Sequence, residues 1–374
     1  MKISLIKTQT LPNKFVKEKN QLNYKETLYF IAKCLTISLE EKNRDEIEKH
    51  LESETIDWDT VVKVSTAHYV FPALYCNLKR VDFLKYLPAD LVDYMKYITN
   101  LNRDRNIQII QQAKELNSLL LEKNVRPVFL KGTGNLLEGL YKDVGERMVG
   151  DIDFLFSEKD SYSTFKILKS DGYSSPENIL DMFPKHRHFP RLIKPANIAA
   201  IEIHKEVLKE KYRGEFNYKI ISEDAQLIND FSVLSFENQL SLSIISSQIN
   251  DYGFELKNFT LRNAYDVFLL SKKVDTKKVI SKFTKLKNPL NCFLANCNLV
   301  FGDLESLGYF KTKESDKYLK AFNKSLYKSK STTKINFKLI KINLNRQFGI
   351  VFKSIFNSEN RKWLLNRIKS KISN

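Results

Sequence analysis

Residues 128–156 read VFLKGTGNLLEGLYKDVGERMVGDIDFLF, and a second stretch, 201–207, reads IEIHKEV. The apolar run Val128-Phe129-Leu130 stops at Lys131-Gly132-Thr133-Gly134, a helix-like segment follows from Asn135 to Tyr141, and a second apolar strand carries two acids, Asp151-Ile152-Asp153-Phe154-Leu155-Phe156. Side chains alternate along a strand, so Asp151 and Asp153 share one face while Ile152, Phe154 and Phe156 share the other. Ile201-Glu202-Ile203-His204 repeats the pattern, with Glu202 and His204 on one face. Two neighbouring carboxylates raise each other's pKa unless positive charge lies between them. A divalent cation is the usual answer, and Mg²⁺ needs only one or two protein carboxylates when substrate phosphates supply the rest. Taken alone, Asp-x-Asp also fits the solvent face of an edge strand, and glycines after a strand also fit a plain turn. The order of the parts favours the metal reading: a third acid on a neighbouring strand would complete a two-metal clamp for phosphoryl or nucleotidyl transfer.

The order strand, Lys-Gly-x-Gly, helix, Arg147, Asp-x-Asp, x-Glu-x-His resembles the nucleotidyltransferase superfamily of DNA polymerase beta-like palms. The wording LKG, GERMVGDIDFLF, HFP and IEIHKEVL is more similar to one branch, the uncharacterised nucleotidyltransferase family of bacteria. In that branch an Arg four residues before the Asp-x-Asp matches Arg147, and a Glu-x-His on the third strand matches Glu202 and His204. Thr133-Gly134 departs from the commoner Gly-Ser, and the interval to Asp151 is longer than usual. The resemblance implies an α+β palm, a small mixed sheet with helices, held between helical flanks. It implies transfer of a nucleoside monophosphate from an NTP, ATP by default, to an acceptor hydroxyl with release of pyrophosphate. Asp151, Asp153 and Glu202 would be catalytic and hold Mg²⁺ or Mn²⁺. Lys131, Gly132, Thr133 and Gly134 would bind the triphosphate at a helix start, where free N–H groups favour anions, with Arg147 adding its planar donor fork. His188 would lie near the site, packing or donating a hydrogen bond. His204 could orient Glu202 or act as a base, and orientation or packing is preferred, because such palms leave activation of the acceptor to the metal. His186-x-His188 lacks a Cys or acid at zinc-ligand spacing. A binding protein that keeps the palm fold is the alternative.

Around this centre, 374 residues with 43% hydrophobic and 12% aromatic content suffice for a sizeable core. The first twenty residues carry no leader-like apolar region, and no stretch approaches the length of a membrane span. Cys34, Cys76, Cys292 and Cys297 form no Cys-x-x-Cys pair and read as reduced core residues of a cytoplasmic protein. Four regions are expected: helices over 1–125 behind a loose lead-in, the palm over 126–222, helices over 223–310, and a basic tail over 311–374. Within the first, Asn124 stops the helix before the strand, Pro88 opens a long helical stretch, and His68 packs. Arg262 and Asp266 read as an i,i+4 helix pair, with a cleft-lining role also open. The net charge of +17 is uneven: the tail holds 17 Lys or Arg against Glu314, Asp316 and Glu359, hence +14, which leaves +3 for the rest. Its apolar residues interleave at helical spacing. A helix on an anionic membrane surface, a nucleic-acid patch and a solvated helix docked on the body all fit.

Overall fold

The computed structural model describes residues 23–53, 56–176, 186–327 and, with gaps, 339–372. Residues 1–22 of the lead-in expected over 1–25 lie outside them, as do Thr55, a candidate helix cap, Lys185 and the tail residues Ile335, Phe337, Ile342 and Ile350.

The first region is helical: α1 (Tyr24–Cys34), α2 (Glu41–Ser53), α3 (Trp58–Ala67), α4 (Phe71–Arg80) and the 34-residue α5 (Ala89–Glu122). Asp57 caps α3 through the amide of Thr60. Pro88 stands just ahead of α5, and Asn124 takes a positive φ just beyond its end. His68 packs, accepting from the Leu261 amide at 3.2 Å and bonding the Tyr24 hydroxyl at 2.9 Å.

The sheet follows. The apolar β1 (Val128–Leu130) is wholly buried and leads straight into α6 (Lys131–Glu138). β2 (Asp151–Leu155) runs antiparallel to β1, with Asp153 opposite Leu130. α7 (Glu158–Ser170) then returns the chain so that β3 (Ala200–His204) lies parallel to β2, with Glu202 opposite Asp153. The period-two pattern does what it predicts. Ile152, Phe154, Ile201 and Ile203 are fully buried on one face, where Phe129 and Phe154 pack edge to face at 4.9 Å, and the acids occupy the other.

The sheet does not stop at residue 222, where the sequence places the end of the palm. After the short α8 (Tyr218–Glu223), a hairpin of β4 (Gln226–Ile228) and β5 (Phe231–Val233) completes the order β3-β2-β1-β5-β4, with β5 parallel to β1. These strands lie where only helices were expected. Three residues each are too few to show an alternation, but Asn229 and Asp230 at the turn both have positive φ, the conformation that Asn and Asp tolerate best in two-residue hairpins. Helices resume with α9 (Phe236–Ile245), α10 (Gly253–Leu256), α11 (Leu261–Ser271), α12 (Thr276–Ser281) and α13 (Lys287–Phe301).

The tail divides. α14 (Lys313–Tyr327) belongs to the body: Tyr318 stacks on Phe254 at 5.3 Å and donates to Gln248, and Phe322 is buried against Phe259. For this segment the docked-helix reading holds. The last described helix is α15 (Ser358–Ile372). Among the described residues no helix is long and apolar enough to cross a membrane.

α6 lies so close on β1 that its glycines have a packing reason. A Cβ on Gly134 would fall 2.7 Å from the Phe129 carbonyl oxygen, and one on Gly132 would fall 2.9 Å from Val149 Cγ2. Gly134→Ala should lower stability by about 1–3 kcal/mol, the usual effect of forcing an extra methyl into a packed interior. Gly150→Ala, with nothing within 4 Å, should be near neutral. Urea melts of both variants check this, and equal midpoints would refute the close approach.

Candidate active site

The acid face of β2 and β3 is a cluster of opposite charges. Asp153 and Glu202 are cross-strand neighbours. Lys131, the first residue of α6, holds a positive φ of 52° and turns its ammonium between them, 2.5 Å from Asp153 Oδ1 and 3.9 Å from Glu202 Oε2. His204 Nε2 donates to Asp153 Oδ1 at 2.8 Å and lies 3.5 Å from Glu202 Oε2. Arg191 Nη2 reaches Asp151 Oδ2 at 2.7 Å and Glu202 Oε1 at 3.2 Å. Asp151, Asp153, Glu202, His204 and Lys131 are therefore brought together, and Arg191 joins them.

The charges set the protonation. Burial would raise the Asp153 carboxyl, but the Lys131 ammonium and the hydrogen bond from His204 hold it below its ordinary value. Glu202 is likewise pushed up by burial and pulled far lower by His204 and Lys131. Asp151 goes the other way: burial raises it, with Glu202 and Asp153 adding repulsion that Arg191 offsets only in part.

Behind the acids, His188 pairs with His204 across a short antiparallel bridge, with the rings 5.1 Å apart. Its Nδ1 donates to the Phe189 carbonyl, and its pKa falls to about 4 through burial and the neighbouring His204. Thr133 is fully buried and its hydroxyl donates to the Asp151 carbonyl at 2.9 Å, so it ties α6 to β2.

A model of the uncharacterised nucleotidyltransferases matches residues 54–302. The chain belongs to this family. Among solved structures, a "putative nucleotidyltransferase from H. pylori" matches at 15% identity over 68% of this chain and 99% of that one, with a TM-score of 0.26. Among curated proteins none matches. The chain is thus an enzyme of the nucleotidyltransferase class.

Not every residue expected in this nucleotidyltransferase's site opens onto it. Arg147 is buried, and its donors are taken by its own chain. Nε and Nη2 grip both oxygens of Asp266 at 2.9–3.1 Å, and Nη1 donates to the Met148 carbonyl at 2.8 Å. Tyr141 donates to the same Asp266 at 2.7 Å. The fork expected for a triphosphate is occupied, and Asp266 pairs with Arg147 rather than with Arg262. The preceding Glu146 accepts from Tyr265 and pairs with Arg80, so two consecutive loop residues clasp two consecutive residues of α11. Arg262 rests 4.8 Å from the Tyr69 ring, and its buried Nε has no hydrogen-bond partner among the described residues.

Several residues that matter here were not legible as such. Arg191 stands opposite Glu202 because Leu192 bridges Ile201, and a hairpin register drawn through Asn197 would have found it. On α5, Asn102 donates to the carbonyls of Gly145 and Arg147, Asn106 donates to those of Val144 and Arg147, and Gln112 both donates to and accepts from the Ala199 backbone. One helix thereby holds the lead-ins to both acidic strands.

A divalent cation fits this donor set. One ligand atom each from Asp153, Glu202 and His204 lies within 4.8 Å of the others. Two ionised carboxylates and an imidazole suit a hard or borderline divalent ion. The hydrogen bond to Asp153 places a proton on His204 Nε2, and the buried Nδ1 has no hydrogen-bond partner among the described residues, so moving that proton to Nδ1 would free Nε2 for a metal. The compact trio contains His204, expected only behind the ligands, and not Asp151, which pairs with Arg191.

Proposed function

We propose that this enzyme moves a nucleoside monophosphate from an NTP, ATP by default, to an acceptor hydroxyl. Asp151, Asp153 and Glu202 would hold Mg²⁺ or Mn²⁺, with His204 beside them. The observation that carries the reading is the Asp153–Glu202 pair, cross-strand neighbours with the Lys131 ammonium set between them. Bound there, such an ion would neutralise phosphate charge and lower the pKa of the acceptor hydroxyl.

The chain's own residues do the rest. Lys131 and Arg191 balance the carboxylates, and both are long enough to swing toward phosphate oxygens when a cation takes over that balance. Lys131 begins α6, whose first amides favour anions. Arg187 and Arg262 extend the positive charge toward Asp251, and burial lowers the pKa of both guanidiniums. Cations so desolvated favour an anionic ligand. This arrangement supports a triphosphate beside Lys131 and leaves Arg147 the task of fixing the loop ahead of β2. The acceptor oxygen gives up its proton to water and forms a bond to the α-phosphorus as the bond to the bridging oxygen breaks, and pyrophosphate leaves with that electron pair. The palm on this reading spans 126–233, and the helices before and after it supply the acceptor side.

The test is a thermal-shift titration with Mg²⁺ or Mn²⁺ and each of the four NTPs, on wild type and on Asp151→Asn/Asp153→Asn. A ligand that binds only the native state at a hundredfold its Kd adds about 2.7 kcal/mol of apparent stability. The expected result is a metal-dependent shift with one NTP that disappears in the double variant. No shift with any NTP, in a protein that melts cooperatively, would overturn the proposal.

A further inference from the structure

The end of the chain carries a surface that nucleotidyl transfer does not use. Every described residue between 339 and 356 is helical. Ile340, Leu344, Phe348, Phe352 and Phe356 follow one another at i,i+4 and are all exposed, Phe348 by 71% and Phe356 by 75%. Val351 and Ile355, also exposed, widen the stripe by one position. By contrast Ser354 is buried, as are Asn360 and Trp363 of α15. Single exposed apolar side chains are ordinary, but seven large ones among the described residues of 340–356 mark a surface that something covers.

The charge says what. Residues 311–374 hold +14 of the chain's +17. Large apolar side chains in a strongly basic segment are the combination that binds the headgroup–acyl boundary of an anionic bilayer. Nucleic acid would meet the charge, and its bases could stack on the phenylalanines, but it offers nothing to Ile340, Leu344, Val351 and Ile355. A second copy that covered the stripe with its own would bring one +14 tail against another. Lys341, Arg346 and Lys353 interrupt its apolar residues, so the segment would lie on the surface rather than span the bilayer.

We propose that the stripe from Ile340 to Phe356 docks this enzyme onto anionic phospholipid bilayers, with Phe348, Phe352 and Phe356 as its apolar anchors. The inference stands apart from the transfer reaction and needs no nucleotide.

Flotation of the full chain with phosphatidylcholine vesicles, and with vesicles in which about a third of the lipid is phosphatidylserine, tests it. Wild type should float with the anionic vesicles and far less with the neutral ones. Phe348→Ser/Phe352→Ser/Phe356→Ser should reduce that partition by about tenfold or more with an unchanged melting curve. The proposal is overturned if wild type fails to bind anionic vesicles or if the triple variant binds them equally well. A wild-type dimer in light scattering that the variant loses would assign the stripe to a second copy. Binding to a single-stranded oligonucleotide that falls in step with the substitutions, without vesicle binding, would assign it to nucleic acid.

Discussion

Asp153→Asn should reduce nucleotidyl transfer by about a thousandfold or more. Metal-based stabilisation of transferring phosphate is worth several kcal/mol, and each 1.4 kcal/mol is about a factor of ten. Asp153 is where that loss concentrates, because its Oδ1 accepts from both Lys131 and His204, and its carboxylate pairs across the strands with Glu202. The amide keeps the shape but not the charge. An Asn NH₂ would face an ammionium-bearing Lys131 and the His204 Nε2–H, so the substitution also turns an acceptor into a competing donor. Glu202→Gln should behave similarly, and the double variant should be little worse than either, since residues acting as one unit are not additive. Pyrophosphate release under single turnover, at Mg²⁺ or Mn²⁺ concentrations well above wild-type need, is the measurement. Turnover above a tenth of wild type would remove Asp153 from the chemistry.

Arg147→Met should destabilise the fold by about 3–5 kcal/mol, the range for removing one partner of a buried ion pair. The Arg147 and Asp266 side chains are 8% and 3% exposed, so Asp266 would be left desolvated with only Tyr141 as donor. Burial would lower the guanidinium's pKa, and Asp266 more than offsets it, so Arg147 is held charged. Arg147→Lys should not restore stability, because a single ammonium cannot supply two parallel hydrogen bonds plus one to Met148. Arg147→Met/Asp266→Leu should recover a large part of the loss, because it leaves no unpaired charge. Urea unfolding of the three variants decides it. A loss under about 1 kcal/mol for Arg147→Met, together with weakened NTP binding, would return Arg147 to the triphosphate.

The difference between these two residues shows what could be seen in the sequence. Asp151, Asp153 and Glu202 were legible because alternation is local: three or four consecutive residues declare which face an acid takes. The fold class followed from the order of those strands, and the family match agrees with it. Arg147 was legible as a residue but not as a contact, since Asp266 lies 119 positions away. Asn102, Asn106 and Gln112 were invisible for another reason. On a long amphipathic helix polar residues ordinarily face water, and nothing local marks three that face backbone carbonyls. The β4–β5 hairpin was missed because three-residue strands show no period, though Asn229-Asp230 signals its turn. The two glycines of the Lys-Gly-Thr-Gly turn, expected to admit phosphate, pack closely against β1 and Val149.

The grip of α5 on both acidic strands makes that helix a clock for the site. Asn102 and Asn106 are one turn apart, and Gln112 lies six residues further on. Each residue of a helix advances about 100° and 1.5 Å. The angular phase between the two grips therefore sets how the β2 and β3 lead-ins are offset, and with them the facing of Asp153 and Glu202. A single residue inserted between Asn106 and Gln112 would rotate one grip by about 100° against the other without touching the acids. Substitutions along the exposed side of α5 preserve the phase. The site should thus tolerate wide variation in composition along this helix and almost none in its length.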